Sequence, residues 1–480
     1  MQIKMPQAVE TIIHTLETHG YEAYAVGGCV RDTLLDRTPE DWDITTSAKP
    51  LEIKQIFRKT IDTGIQHGTV TVMIDHVGYE VTTYRIDGEY EDNRHPKQVE
   101  FTADLTADLQ RRDFTINAMA YNPNTGMVDE FEGVKDLQEK VIRCVGDPGQ
   151  RFDEDALRML RAVRFSGQLG FRIDEATLDA IRVRAQNLRN ISAERIRVEL
   201  SKLLIAKEAG RLQEAYCTGM TQYFLPEFDA MMEVAQRNPH HIYTVGEHCL
   251  YSVRVMNLFF GLGTVQWQEG ELPQPTVQLA QQIAATLDKK THLALCVTML
   301  LHDVAKPSCM TIDEKGVGHF RGHPQKSAEM ARAILRRLTF DNDTLHLVKT
   351  LILHHDEQIP PTPKGLRKAA ARIGRERMPL LCLVQFADVL AQNPALAEDK
   401  LKRIHAVYEQ FVKMQQENPP LTVKEMAVTG RDIMEELSMK PGPQIGTILD
   451  YLLEQVLESP EKNEREQLLA MAKEKSMKEM

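Results

Sequence analysis

The sequence predicts an α+β protein: a small mixed β-sheet near the N-terminus, followed by helices to the C-terminus. Three observations carry this. Alternating, β-rich runs are confined to the residues before about 104. Beyond that point apolar residues recur with helical spacing. The composition, 42% hydrophobic and 26% charged, is that of a globular protein, and 480 residues suggest about three units.

Residues 6–19 read as an amphipathic helix, and YEAYAVGG (21–28) as a strand entering a tight turn. GCVRDTLL then reads as a helix, DWDITTS as a short strand and KPLEIKQIF as a helix. The runs 69–77 and 79–86 form an expected hairpin about Gly78. DGEYEDNRHPKQ (87–98), with Arg94 and Pro96, is polar and rich in breakers, so a mobile loop is expected. Continuous helices are expected over 151–170, 175–188 and 192–204, and the last zone, 401–480, is helical with PGPQIG (441–446) as punctuation.

No apolar run is long enough to cross a bilayer, and the first residues lack a secretory core, so a cytoplasmic location without membrane contact is expected. Seven scattered cysteines without a C-x-x-C pair argue against zinc ribbons and disulfide frameworks. The net charge of −11 argues against indiscriminate nucleic-acid binding, and DNA is not an expected partner. Residues 151–200 nevertheless hold ten arginines and no lysine, a choice that favours bidentate recognition of phosphates or bases. Ten of the sixteen histidines fall within about 237–400.

The stretch GGCVRDTLLDRTPEDWDITTS (27–47) carries the first chemistry. On a strand, Asp41 and Asp43 point to one face and Trp42 to the other. Paired carboxylates repel unless cations compensate, and Mg²⁺ binds carboxylates together with substrate phosphates. Two such ions can activate an attacking hydroxyl and stabilise a leaving pyrophosphate. Gly27 and Gly28 allow close approach to a triphosphate, the following helix offers free N–H groups, and Arg31 sits in its first turn. Glu80 is the best candidate for a third carboxylate, although an exposed strand glutamate accounts for it equally well.

G-G-x-V-R-D-x-L-L-x-R followed by D-x-D-I resembles the nucleotidyltransferase signature of the polymerase-β superfamily, and more narrowly the bacterial CCA-adding enzymes and their poly(A) polymerase relatives. RRDFTINAMAYNP (111–123), DEFEGVKDL (129–137), FDEDALRMLRAVRF (152–165) and SAERIRVELSKLL (192–204) resemble further motifs of that family in order. The resemblance implies that Arg112 and Asp113 contact the incoming nucleotide and that Asp113 favours ribose. It also implies that the 87–98 loop switches the site to ATP, favouring full CCA or terminal A addition over CC alone.

The segment 152–165 has a physical reading too. Asp155 and Arg158, three apart, would share one helical face. An Asp accepts from an exocyclic amino group and an Arg donates to a ring acceptor, a pattern that fits cytosine and adenine and rejects uracil and guanine. Arg161 and Arg164 would continue that face toward the triphosphate or the RNA.

His248, the His302-Asp303 pair in LLHDVAKP, and Asp388 resemble the HD metal-dependent phosphohydrolases. That resemblance implies a second divalent-metal site on His248, His302, Asp303 and Asp388, with His323 and His354 completing a further metal position. Segment 430–463 resembles the tRNA-contacting tail of HD-bearing relatives.

The expected domains are a catalytic nucleotidyltransferase head (1–150), an all-α neck for nucleotide selection and RNA binding (151–236), an HD-type helical domain (237–400) and a helical, tRNA-binding tail (401–480). The expected function is template-independent addition of CCA to tRNA from CTP and ATP, with Mg²⁺ on Asp41 and Asp43 and with Gly28, Arg31, Arg112, Asp113, Asp155, Arg158, Arg161 and Arg164 binding nucleotide. The alternatives are an A-adding enzyme or poly(A) polymerase, and an HD phosphohydrolase acting on cyclic or 2′ phosphates.

Overall fold

The structure, a computed structural model, describes residues 3–87, 99–267 and 270–479. From residue 88 onward the loop expected at 87–98, with Arg94 and Pro96, lies outside the described residues. The chain forms two compact units, Met1–Asp229 and Ala230–Met480.

In the first unit, α1 (Gln7–Thr18) buries Val9, Ile12, Ile13 and Leu16, the single apolar stripe its periodicity demands. The strands are β1 (Ala23–Val26), β2 (Ile44–Thr46), β3 (Thr60–Gly64), β4 (Thr69–Ile74), β5 (Val77–Thr83), β6 (Arg85–Asp87), β7 (Val99–Phe101), β8 (Ala120–Asn122) and β9 (Gly126–Val128), with a separate two-residue parallel pair, Val141–Ile142 and Arg172–Ile173. Seven of them form one sheet in the order β3-β4-β5-β2-β1-β8-β9. Only β2 and β5 run parallel, so the sheet is mixed as expected, and β6 pairs with β7 apart from it.

Three local expectations are corrected. The hairpin turns at Asp75 and His76, both at positive φ (48° and 66°), which is the two-residue geometry whose twist suits antiparallel strands. Gly78 lies inside β5 opposite Met73, where a Cβ would come within 2.8 Å of Thr71 Cγ2; it answers a close approach, not a bend. Strand structure does not end near residue 104 either. β8 and β9 close the sheet against β1, but at three residues each they are too short to show a period. The third correction concerns residues 151–170. These do not form one helix: α2 lies far upstream (Gly28–Leu34), and here α3 (Pro148–Glu154) and α4 (Leu157–Leu169) are separated at Asp155. Asp155 is extended (φ −143°, ψ 102°), and its Oδ1 accepts the Leu157 N–H at 3.1 Å, a competing local bond typical of Asp at a helix start. α5 (Ala193–Leu204) packs against α4.

The second unit is helical, apart from one short two-stranded ladder among its described residues. Its central helices are α6 (Val245–Phe259), α7 (Lys289–Leu301), α8 (His323–Arg337), α9 (Asn342–His354), α10 (Met378–Leu390) and α11 (Glu398–Glu417). The last helices, α12 (Gly430–Leu437), α13 (Pro443–Glu458) and α14 (Arg465–Glu479), close over their own core of Ile433, Ile448, Leu452, Val456 and Leu468. Buried Arg367 donates to the Leu457 and Glu458 carbonyls (both 2.8 Å), satisfying the open C-terminal end of α13. No helix among the described residues is long and apolar enough to cross a membrane.

Candidate active site and candidate metal centre

β1 delivers the chain to Gly27, whose φ of +81° a side chain would resist and whose Cβ would meet Arg112 Nη1 at 3.0 Å. The Gly27 N–H donates to Met119 O at 3.1 Å, so this bend is anchored on the segment that carries Arg112 and Asp113. Gly28 opens α2. Arg31 is buried: it donates to Asn117 Oδ1 (2.6 Å) and forks onto the Asp32 carboxylate (3.0 and 2.9 Å).

Asp41 and Asp43 precede β2, which begins only at Ile44. The expected strand is therefore shorter, although the Val26 N–H still bonds to Asp43 O (3.0 Å) and holds Asp43 on the ladder. Ile44 pairs in parallel with Val81, so Asp43 adjoins Glu80 one step along. The Asp43 carboxyl is pushed up to about 6, by burial first and then by Asp41 and Glu80, with Arg112 opposing. Asp43 thus feels the charge of two other carboxylates, opposed by Arg112, and a divalent cation taken up on its oxygens would relieve that repulsion.

The pH consequence follows by linkage. With a raised pKa, Asp43 favours folding while protonated, and that contribution is lost as pH climbs from the ordinary aspartate range through about 6. A cation needs the ionised form. The rise in melting temperature on adding Mg²⁺ should therefore be larger at pH 8 than at pH 5. Equal rises at both would refute this account.

Beyond Arg31 a buried network runs from the sheet into α4. Asn117 Nδ2 donates to Asp113 Oδ1 (3.0 Å), and Arg161 donates to Asp113 Oδ2 (2.8 and 2.6 Å). Burial alone would raise Asp113, but Arg161 and Asn117 hold it well below the usual carboxylate range. Arg164 pairs with Glu199 of α5 (2.8 Å) and lies 3.5 Å from the Phe165 ring centre. Asp155 is gripped by Arg195 through two nitrogens (3.2 and 2.7 Å). Arg158 reaches Glu154 (2.5 Å) and the main-chain carbonyl of Arg111 (3.0 Å). Asp155 and Arg158 thus do not share one helical face, and Arg161 and Arg164 do not extend it. Asp155 stands in the break between helices, and the two arginines turn to Asp113 and Glu199. Sequence reasoning passed over Asn117, Arg195 and Glu199, whose partners lie tens of residues away.

In the second unit His248 comes from α6, His302 and Asp303 follow α7, and Asp388 belongs to α10. His248 Nε2 lies 3.1 Å from His302 Nε2, 3.0 Å from Asp388 Oδ1 and 3.6 Å from Asp303 Oδ2. Both rings turn Nδ1 to a carbonyl, of Ala391 (3.1 Å) and of Met299 (2.8 Å). A donor at Nδ1 leaves two Nε2 lone pairs face to face, which calls for a proton or a cation between them. Asp303 is 1% exposed and neither of its oxygens is hydrogen-bonded, although Lys306 Nζ lies 2.7 Å from Oδ2. Burial works against charge on His302, yet Asp303 holds it well above its ordinary value; a bound cation would release that proton. These nitrogen and oxygen donors fit a divalent metal.

His323 and His355, each tied at Nδ1 to a carbonyl, face Asp303 Oδ1 at 3.2 and 3.7 Å. His354 is not in this group. Its Nδ1 pairs with Glu357 (2.8 Å), because successive residues at a helix end point in different directions and His355 has the inward one.

Family models match four stretches: a poly A polymerase head domain (23–143), an RNA and SrmB-binding site of polymerase A (170–232), an HD domain (275–393) and a tRNA nucleotidyltransferase domain 2 (380–472). The CCA-adding enzyme of Limosilactobacillus reuteri (strain DSM 20016) is 35% identical over 457 residues, 94% of this chain and 93% of that one. The chain belongs to the CCA-adding enzyme family. The family's enzyme from Lactiplantibacillus plantarum is 52% identical over 201 residues, 42% of this chain and 49% of that one. The crystal structure of the Bacillus stearothermophilus CCA-adding enzyme in complex with CTP superposes with a TM-score of 0.68 at 28% identity, covering 99% of both chains. That of the Thermotoga maritima enzyme complexed with tRNA, at 18% identity and a TM-score of 0.57, shares the fold.

Proposed function

We infer that this chain adds CCA to the 3′ end of tRNA from CTP and ATP without a nucleic-acid template. The observation that carries the inference is Asp43 held on the ladder next to the Gly27-Gly28 bend, repelled by Asp41 and Glu80 and attracted by Arg112, in a chain of this family. The enzyme depends on a divalent metal. Mg²⁺ is the ion proposed, held by Asp41 and Asp43 with Glu80; when bound it supplies polarisation of the attacking hydroxyl and charge neutralisation at the leaving pyrophosphate. The RNA 3′-oxygen bonds to the α-phosphorus as the bond to pyrophosphate breaks. Gly28, Arg31 and Arg112 are proposed to orient the triphosphate and Asp113 the ribose. Asp155 accepts from the base amino group and Arg158 donates to the ring acceptor, with Arg195 and Glu154 fixing their directions. Arg161 and Arg164 support the pocket from behind.

The domains are proposed as 1–150 for catalysis, 151–236 for selection and RNA contact, 237–400 for the HD fold and 401–480 for tRNA contact, in a cytoplasmic enzyme. Purified protein given tRNA ending at the discriminator base should add C residues from CTP alone, nothing from ATP alone and CCA from both. Addition of A without prior C would favour the A-adding or poly(A) polymerase reading.

The convergence of His248, His302, Asp303 and Asp388 favours a second activity in the same chain, metal-dependent hydrolysis of phosphate esters such as cyclic or 2′ phosphates.

A further inference from the structure

The donor cluster of the second unit does not lie at the blind end of a pocket. A cavity of about 590 Å³ is lined by Asp303, His323, His355 and Asp388, and a neighbouring one of about 280 Å³ is lined by His355 and Asp388. Both are walled in part by His355, Asp388 and Lys400, so they join at the edge of the cluster, at Asp388. Phe320 and Arg321 line only the larger cavity, while Gln358 and Arg403 line only the smaller. Asp356 lines both, and Glu357 adds an acid to the smaller one. Asp356, Asp388 and Lys400 thus stand at the junction, with Arg321 beyond it in the larger cavity and Arg403 beyond it in the smaller.

That order bears on the ester. A phosphomonoester, or a phosphate cyclised on one ribose, carries a single organic arm and would fill one cavity. A linear diester carries two arms leaving phosphorus in different directions. We propose that the junction binds a linear phosphodiester of the kind that joins two nucleosides, with one nucleoside in each cavity, Phe320 and Arg321 against one and Arg403 against the other. This rests on the reading of His248, His302, Asp303 and Asp388 as a metal centre. Hydrolysis there forms one bond from a water oxygen to phosphorus and breaks one phosphorus–oxygen bond. The water proton goes to the leaving oxygen, giving a nucleoside monophosphate and a nucleoside hydroxyl.

The test uses the full chain. Manganese content after dialysis, measured with Asp41→Ala and Asp43→Ala in place so that only the second-unit centre is counted, reports the metal centre, and titration calorimetry reports binding of adenylyl-3′,5′-adenosine and of adenosine 3′-monophosphate. The dinucleotide should bind about tenfold more tightly than the monophosphate, and Arg403→Ala should weaken the dinucleotide alone by about tenfold, the loss expected for one charge-assisted contact. Arg403→Gln serves if the alanine variant melts early. Equal affinities for the two ligands, or an Arg403 effect shared by both, overturn the proposal while the metal reading stands. Absence of manganese from that double variant, or its retention when His302→Ala is added, overturns the metal reading and the proposal with it.

Discussion

Asp41→Ala combined with Asp43→Ala is expected to abolish nucleotide addition while leaving tRNA binding and folding intact. The two carboxylates are the proposed oxygen donors next to the glycine bend, and on that reading the remaining Glu80 cannot hold a divalent cation against a triphosphate. Loss of a cation that stabilises transition-state charge by several kcal/mol lowers the rate by ~10³-fold or more. Stability should move the other way. Asp43 is buried beside Asp41 and Glu80, which push its carboxyl up to about 6, so at pH 8 the metal-free wild type carries an acid that its surroundings disfavour. The double variant should melt at or above the metal-free wild-type temperature, and added Mg²⁺ should no longer raise it. A functional site held at some cost to the fold behaves in this way. Single-turnover rates, gel-shift binding of tRNA and melting curves together check it; near-normal turnover would remove the mechanism.

Much of this architecture was legible because local rules and tertiary packing agree. The apolar stripe of α1 and the alternation of β4 and β5 appear where periodicity places them. The failures are places where a distant partner decides. Apolar spacing continues through Asp155, so nothing in the sequence marks a break there. The break accompanies Arg195, 40 residues on, and a capping bond from Leu157. Gly78 looks like a turn residue, but Asp75 and His76 make the turn, and Gly78 answers crowding from the neighbouring strand. In His354-His355 the sequence offers two imidazoles, and only the backbone path at the end of α9 shows which one faces Asp303.

Glu199 supplies the other large effect. Phe165 is ringed by three guanidiniums, those of Arg31, Arg161 and Arg164, at 5.0, 5.4 and 3.5 Å from its centre. Asp32 answers Arg31, Asp113 and Glu199 answer the other two, and Glu199 is almost fully buried between Arg164 (2.8 Å) and Arg161 (3.8 Å). Burial already pushes Arg164 below its ordinary value, so this guanidinium depends on its acid. Glu199→Leu should destabilise the protein by about 3–5 kcal/mol, the cost of leaving a buried charge without its partner. For a unit of this size the first melting transition should fall by on the order of 10 °C. Glu199→Leu with Arg164→Leu should recover much of the loss, because replacing both partners removes the stranded charge instead of creating one. A single variant melting with wild type would show that the guanidiniums are solvated, and a double variant worse than the sum would show packing to be the cause. The network also joins Asp113 to α5 through Arg161. Glu199→Gln, which keeps the shape, should therefore alter the preference for CTP over dCTP more than it alters the melting temperature, provided that Asp113 reads the ribose.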